Sequence, residues 1–124
     1  MAKKVLDVGN CVPDHEAIRT LIVSHFDAEV VQAHGLDDAL QTLRQGCFDL
    51  ILINRRLDRD NSEGLVVLAA IKADSELASV PTMLVTNFED HQQTAINAGA
   101  VAGFGKLALN ESSTVDKLAE WLSG

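Results

Sequence analysis

Residues 49–53 read Asp49-Leu50-Ile51-Leu52-Ile53, an almost unbroken apolar run of strand length. A short run of this kind is typical of a strand that is buried on both faces, as in a parallel sheet covered by helices. We therefore place these residues in the central strand of the domain.

Strand and helix patterns alternate on both sides of this central run. The other strand patterns cover Val5–Val8, Glu29–Ala33, Thr82–Thr86 and Val101–Gly105. The helical patterns run from Pro13 to Phe26, over Leu36–Gln45, from Gly64 to Lys72, over Asp90–Asn97 and over Val115–Leu122. Five such alternations predict a doubly wound α/β fold with a five-stranded parallel sheet and helices on both faces. We expect one domain spanning residues 1–124.

Composition and charge exclude several classes of function. The chain has 124 residues with a formal charge of −8, and its largest basic group is Arg55, Arg56 and Arg59. Nucleic-acid binding needs several cations to neutralise phosphates, so we do not expect it here. No apolar run approaches the length of a membrane span, and we expect a soluble, cytoplasmic protein. Cys11 and Cys47 lack the paired spacing of a zinc site or a disulfide framework.

The chain resembles the receiver domain of two-component response regulators over residues 3–122. The matching segments are Lys3-Lys4-Val5-Leu6, the strand 48–53, Gly64-Leu65, Val80-Pro81, Thr86, Ala98-Gly99-Ala100 and Lys106. The resemblance implies a flavodoxin-like, or CheY-like, sheet with strand order 2-1-3-4-5. It also implies a signalling protein whose active face lies at the carboxyl ends of the strands.

Several positions of that active face depart from the family's pattern. The two acidic residues that bind magnesium in the family correspond to Gly9 and Asn10, and the phosphate-accepting aspartate corresponds to Asn54. The switch hydroxyl and the lysine of the family are retained as Thr86 and Lys106. The chain is therefore similar to the degenerate, pseudo-receiver type.

Two further differences concern the fifth strand and the loops. Leu107 replaces the proline that usually follows the lysine, and Gly103 stands at the aromatic switch position with Phe104 beside it. The loop from Asn54 to Gly64 is slightly longer than usual, whereas the loop from Thr86 to Ala98 is slightly shorter. Both loops belong to the active face in the resembling family.

Phosphoryl transfer is not expected from these residues. The reaction needs an anionic oxygen nucleophile and a metal ion that offsets the charge of the transferred group. Asn54 is neutral, and Gly9 and Asn10 supply no carboxylate for magnesium. The remaining local charge is that of Lys106, joined by Arg55 and Arg56. We predict no magnesium, no other cofactor and no enzymatic activity.

The sequence leaves two carboxylates that could substitute for the missing ones. Asp7 lies within the first strand pattern and points to the same side as Gly9, so we expect it to have a cationic or hydrogen-bonding partner. Asp58 lies in a polar loop, where a solvated turn residue is the simpler interpretation. A receiver phosphorylated at one of these displaced residues remains an alternative.

The leading functional hypothesis is a protein-interaction module. The resemblance places partner contacts, including a homodimer contact, on the face made by helix four, strand five and helix five. That face includes His91, Gln92, Gln93, Leu107 and Trp121. The alternative is a small-anion or ligand site near Lys106, using Arg55, Arg56 and Thr86, at the strand ends where α/β sheets commonly bind ligands.

Two weaker signals are interpreted structurally. His15, His25, His34 and His91 fall in different elements without the spacing of metal ligands, so we expect surface or helix-end positions. The segment Gly103-Phe104-Gly105-Lys106 lacks the full glycine spacing of a phosphate-binding loop. Glycines at the end of a strand explain it better.

Overall fold

A computed structural model describes residues 2–123 and has alternating strands and helices. The strands are β1 (Lys3–Val8), β2 (Ala28–Ala33), β3 (Leu50–Asn54) and β4 (Thr82–Val85). The helices are α1 (Val12–His25), α2 (Leu36–Arg44), α3 (Gly64–Ala73), α4 (Glu89–Asn97) and α5 (Ser112–Leu122). No helix within residues 2–123 is long and apolar enough to cross a membrane.

The described strands form one parallel sheet in the order β2-β1-β3-β4. This confirms the α/β class and the predicted order for the first four strands. The prediction of a full fifth strand over Val101–Gly105 is wrong, because that segment makes a single parallel bridge between Val101 and Met83. Lys106 does not end a strand but begins a short 3-10 turn, Lys106–Ala108.

The sheet has a hydrophobic core on each face because its strands are apolar at consecutive positions. On one face, Leu6, Ile51, Ile53 and Leu84 of the sheet belong to a core with residues of α2 and α3. On the other face, the sheet residues share a core with α1 and α5. The members of this second core include Val5, Leu50, Leu52, Met83, Ile18, Ile22, Leu118 and Leu122. Trp121 packs at its edge and is half-buried.

Most predicted element ends are correct to within one or two residues, and the last helix differs most. It begins at Ser112 rather than Val115, because Thr114 is buried and its hydroxyl donates to the Ala108 carbonyl at 2.7 Å. The segments that follow β1, β3 and β4 meet at the carboxyl edge of the sheet. Gly9, Asn54 and Thr86 therefore come together at this edge.

Candidate functional site

Gly9 follows β1 in a conformation that favours glycine. Its φ is +80°, which is strained for residues that carry a side chain. Leu57 is buried and lies directly over it: a Cβ at Gly9 would be 3.1 Å from Leu57 Cα and would collide with Leu57 Cδ2. The space in which a side chain at position 9 would project is thus filled by an apolar side chain.

The loop after β3 holds Leu57 in this place. Arg56 and Glu63 form an antiparallel bridge, and the Leu57 amide donates to the Ser62 carbonyl at 2.9 Å. The Asp58 amide donates to the Gly9 carbonyl at 3.0 Å, which ties the loop to the end of β1. The loop between β3 and α3 is therefore closed by a hairpin-like bridge and lies over Gly9.

Asn54, at the end of β3, turns its amide nitrogen toward two backbone carbonyls. Its Nδ2 donates to the Arg56 carbonyl at 2.7 Å and to the Gly9 carbonyl at 3.3 Å. The Asn54 amide thus donates to one carbonyl of the loop after β3 and to the carbonyl that follows β1. A carboxylate at this position would bring a third acceptor to them.

A buried polar cluster lies beneath the site, between β1 and α1. The Asp7 carboxylate is fully buried and accepts hydrogen bonds from His15 Nδ1 at 2.8 Å and from Asn10 Nδ2 at 2.5 Å. Burial raises the pKa of Asp7, and the two hydrogen bonds and the charge of Lys106 oppose this shift. The expected hydrogen-bonding partner of Asp7 is therefore found.

His15 corrects one expectation from the sequence. It was predicted at a surface or helix-end position, but it is buried with 7% of its surface exposed. It lies one turn before Ile18, on the same inner face of α1 as Ile18 and Ile22. This helical spacing was a usable signal that the sequence analysis missed.

Asn10 is also fully buried and is turned away from the strand ends. Its side chain donates to Asp7, and its backbone carbonyl accepts from Gln32 Nε2 at 3.1 Å. Among the described residues, Asn10 Oδ1 is the one buried side-chain polar atom without a hydrogen-bond partner. Asn10 therefore acts mainly as a donor to Asp7.

The expected positive charge of the crevice is largely paired. Lys106 Nζ lies 2.8 Å from Asp14 Oδ2, and Arg56 lies 3.3 Å from Glu63. The hydrogen bond from Lys106 lowers the pKa of Asp14, with burial opposing the shift. Asp14 is an acidic residue in the first turn of α1. Its pairing with Lys106 was missed because the two residues are 92 positions apart in the sequence. No ion pair within residues 2–123 involves Arg55.

Thr86, just after β4, is buried and faces α4. Its hydroxyl accepts from the Phe88 amide at 3.3 Å and lies 3.4 Å from His91 Nδ1. Because Phe88 is the residue before α4, this contact ties the start of that helix to the end of β4. The retained hydroxyl is therefore engaged with α4.

A cavity of about 170 Å³ remains near these residues. It is lined by Asn54, Arg55, Arg56, Thr86 and Lys106, together with Val85, Asn87 and Phe88. The cavity brings together the predicted anion contacts. Asp58 is not among its lining residues; its carboxylate lies 3.4 Å from His34 Nδ1 on another side of the loop.

The residues present do not fit a magnesium ion. Magnesium prefers hard oxygen ligands, usually including carboxylates. At the corresponding positions, Leu57 fills the space over Gly9, Asn10 offers one neutral oxygen, and Asn54 directs its NH₂ group at the carbonyls. Within the described part of the chain, no group of three or more His, Cys, Asp or Glu residues could hold a metal ion.

Solved structures of receiver domains have the same fold as this chain. The Vibrio cholerae chemotaxis protein CheY4 is 19% identical, with a TM-score of 0.80 over 98% of this chain and 100% of that one. A response regulator from Thermotoga maritima is 17% identical, with a TM-score of 0.79 over the full length of both chains. The phosphorylated cyanobacterial phytochrome response regulator RcpA is 24% identical, with a TM-score of 0.75 over 99% and 96%.

The fold is therefore that of the CheY-like response-regulator receiver domains. No protein-family model matches the sequence, and no curated protein matches it significantly. Identities below 25% establish the fold alone, so the function has to be argued from the site.

Proposed function

We propose that this chain is a receiver-like module of a two-component signalling system that acts through protein–protein interaction without being phosphorylated. It is not an enzyme and does not require magnesium. One observation carries the proposal: at the acceptor position, the Asn54 amide donates to the Arg56 and Gly9 carbonyls. A neutral amide held in this way offers no anionic nucleophile.

The surroundings of Asn54 support the same proposal. Asp7, one of the two substitute carboxylates, is buried and accepts hydrogen bonds from His15 and Asn10. Asp58 faces His34. Lys106, which would meet a transferred phosphoryl group, is paired with Asp14. Regulation would then depend on the concentration of the partner rather than on phosphorylation.

The proposed docking face comprises Phe88, α4, the segment 101–108 and α5. It carries three exposed large apolar side chains: Phe88 is 56% exposed, Ile96 is 36% exposed and Leu107 is 85% exposed. Phe88 and Leu107 line a cavity of about 290 Å³ together with residues of α5. An exposed leucine beside a groove favours contact with another protein, and a second copy of this chain is one candidate partner.

The proposal predicts that neither the wild-type chain nor Asn54→Asp gains a phosphoryl group from acetyl phosphate and magnesium. The variant restores the acceptor carboxylate, but the positions of Gly9 and Asn10 still lack metal-binding acids. Intact mass spectrometry measures the outcome, and a receiver domain with the complete acidic set serves as the positive control. A stoichiometric gain of one phosphoryl group by the wild-type chain would contradict the proposal.

A pair of surface variants tests the docking face. Leu107→Glu should abolish capture of the partner by the tagged chain, and acetyl phosphate should not change capture by the wild type. The matched control is Val66→Glu on α3, because Val66 is 56% exposed and lies outside the proposed face. Equal loss of capture in both variants would rule out this face as the specific contact.

Anion binding is the second candidate function. The supporting observation is the 170 Å³ cavity, in which Arg55 has no ion pair among the described residues. Inorganic phosphate should then raise the melting temperature of the wild type in a saturable manner, and Arg55→Ala should remove the effect. The absence of such protection would leave protein docking as the remaining candidate.

A further inference from the structure

The segment after α4 lies beside β4 but does not pair with it regularly. Val101 bridges Met83, and its amide donates to the Thr82 carbonyl at 2.9 Å. In a regular parallel ladder, the Gly103 amide would next donate to the Leu84 carbonyl. The Thr86 amide would then donate to the Gly103 carbonyl.

Neither of these two ladder bonds forms. The Gly103 amide donates to Gln92 Oε1 at 3.0 Å, and Gln92 Nε2 donates to the Leu84 carbonyl at 2.9 Å. The Gly103 carbonyl accepts from Lys117 Nζ at 3.0 Å. The Thr86 amide bonds instead to the next carbonyl, that of Phe104, at 3.1 Å.

The amide and the carbonyl of Gly103 are therefore hydrogen-bonded to side chains instead of to the backbone of β4. Gln92 comes from α4 and is only 8% exposed. Its side-chain amide bridges the Gly103 amide and the Leu84 carbonyl, which would bond each other directly in a regular ladder. Lys117 comes from α5. Together they account for the missing fifth strand, and we name Gln92 and Lys117 the Gly103 clamp.

The Gly103 backbone lies against β4. A Cβ at Gly103 would collide with the Leu84 carbonyl oxygen and would lie 3.2 Å from Met83 Cβ. Only glycine permits this approach, since no side chain separates the two backbones. The Leu84 carbonyl oxygen faces the side-chain direction of Gly103 rather than its amide, so direct pairing requires rotation of the Gly103 peptide as well as withdrawal of the Gln92 amide.

We propose that the Gly103 clamp is a two-position latch. When it is closed, Gln92 and Lys117 hold Gly103 and the sheet ends at β4. When it is released, Gly103 pairs with Leu84 and Thr86, and a fifth strand forms. The two arrangements exchange one set of hydrogen bonds for another, so every polar group of Gly103 has a partner in both.

The latch links the helices to the candidate functional site. Lys106, which pairs with Asp14, follows Gly103 by three residues. Gln92 and Lys117 both line the 290 Å³ cavity between α4 and α5. A molecule that displaces either side chain from the cavity would shift the segment that carries Lys106. This inference does not depend on the proposed function, because it concerns only the pairing of β4.

Scalar couplings across hydrogen bonds, measured by NMR on the full isotope-labelled chain, test the latch directly. The variants are Gln92→Leu, Lys117→Met and the double variant, which keep similar side-chain volumes but remove the hydrogen-bonding groups. Gln93→Leu is the matched control, since the Gln93 side chain is exposed and donates only to Asn97 of the same helix.

In the wild type, we expect the Gly103 nitrogen to couple to the side-chain carbonyl of Gln92. In Gln92→Leu and in the double variant, this coupling should shift to the Leu84 carbonyl. In Lys117→Met, the Thr86 nitrogen should shift its coupling from the Phe104 carbonyl to the Gly103 carbonyl. Lys117 is exposed, so this variant is expected to fold even if Gln92→Leu does not.

The latch is overturned if Gly103 and Thr86 retain their wild-type couplings in the double variant. It is also overturned if the Gly103 amide loses all couplings and exchanges rapidly with solvent. Either result would mean that Gln92 and Lys117 bond to an irregular segment that cannot form a fifth strand.

Discussion

Replacing Asp7 with alanine is expected to lower the free energy of unfolding by about 1–3 kcal/mol for each of the two buried donors that it leaves without an acceptor. Asp7 is fully buried, and its carboxylate accepts hydrogen bonds from His15 at 2.8 Å and from Asn10 at 2.5 Å. Both donors would be left in the interior without an acceptor. Chemical denaturation of the two chains measures the difference.

A double-mutant cycle with His15→Ala gives the control. If the two side chains stabilise each other, the double variant should lose clearly less stability than the sum of the single variants. Additive losses would show that the 2.8 Å contact between Asp7 and His15 contributes little.

The raised pKa of Asp7 adds a dependence on pH. Burial raises this pKa, so the folded chain holds the proton more tightly than the unfolded chain does. The resulting stabilisation is complete below the pKa in the unfolded chain and is lost as pH rises through the pKa in the folded chain. The wild type should therefore lose stability relative to Asp7→Asn as pH rises above about 4. His15, Asn10 and Lys106 face Asp7 in both chains.

The second large effect is expected for Gly9→Asp, which should lower the free energy of unfolding by about 2–6 kcal/mol. One part is backbone strain at a φ of +80°, worth about 1–3 kcal/mol. The other part is crowding against Leu57, worth about 1–3 kcal/mol for an overfilled interior. Thermal and chemical unfolding measure the loss.

Two variants separate these contributions. Gly46→Asp adds the same charge at an exposed glycine, where a Cβ would meet only Lys4 Nζ at 3.4 Å and Phe48 Cε1 at 3.9 Å. It should change stability by less than about 0.5 kcal/mol. Adding Leu57→Ala to Gly9→Asp relieves the crowding but not the backbone strain. If Gly9→Asp matches Gly46→Asp, Leu57 does not block this position.

The sequence predicted the layers of the fold because its strands and helices alternate regularly and carry strong hydrophobic patterns. The fifth strand was the exception. Val101–Gly105 has the composition of a short strand, but its pairing depends on Gln92 and Lys117, which lie in other elements. A long-range hydrogen bond of this kind has no local signal in the sequence.

The candidate site was predictable in its residue types but not in its contacts. The neutral residues at positions 9, 10 and 54 could be recognised from the resemblance, and the structure brings Gly9 and Asn54 together. The closure by Leu57 and the pairing of Lys106 with Asp14 could not be recognised. Both depend on how a loop and a helix approach the strand ends, which residue spacing along one element does not specify.

The arrangement at Gly103 also affects whether the edge of the sheet can pair with a strand of another molecule. A parallel sheet with a regular outer strand exposes a row of amides and carbonyls that can pair with a strand from another molecule. At the β4 edge, the polar backbone groups are already bonded: the Thr82 carbonyl accepts from the Val101 amide, the Leu84 carbonyl accepts from Gln92 Nε2, and the Thr86 amide donates to the Phe104 carbonyl. Addition of a foreign strand directly to β4 is therefore disfavoured, which protects this edge against edge-to-edge aggregation.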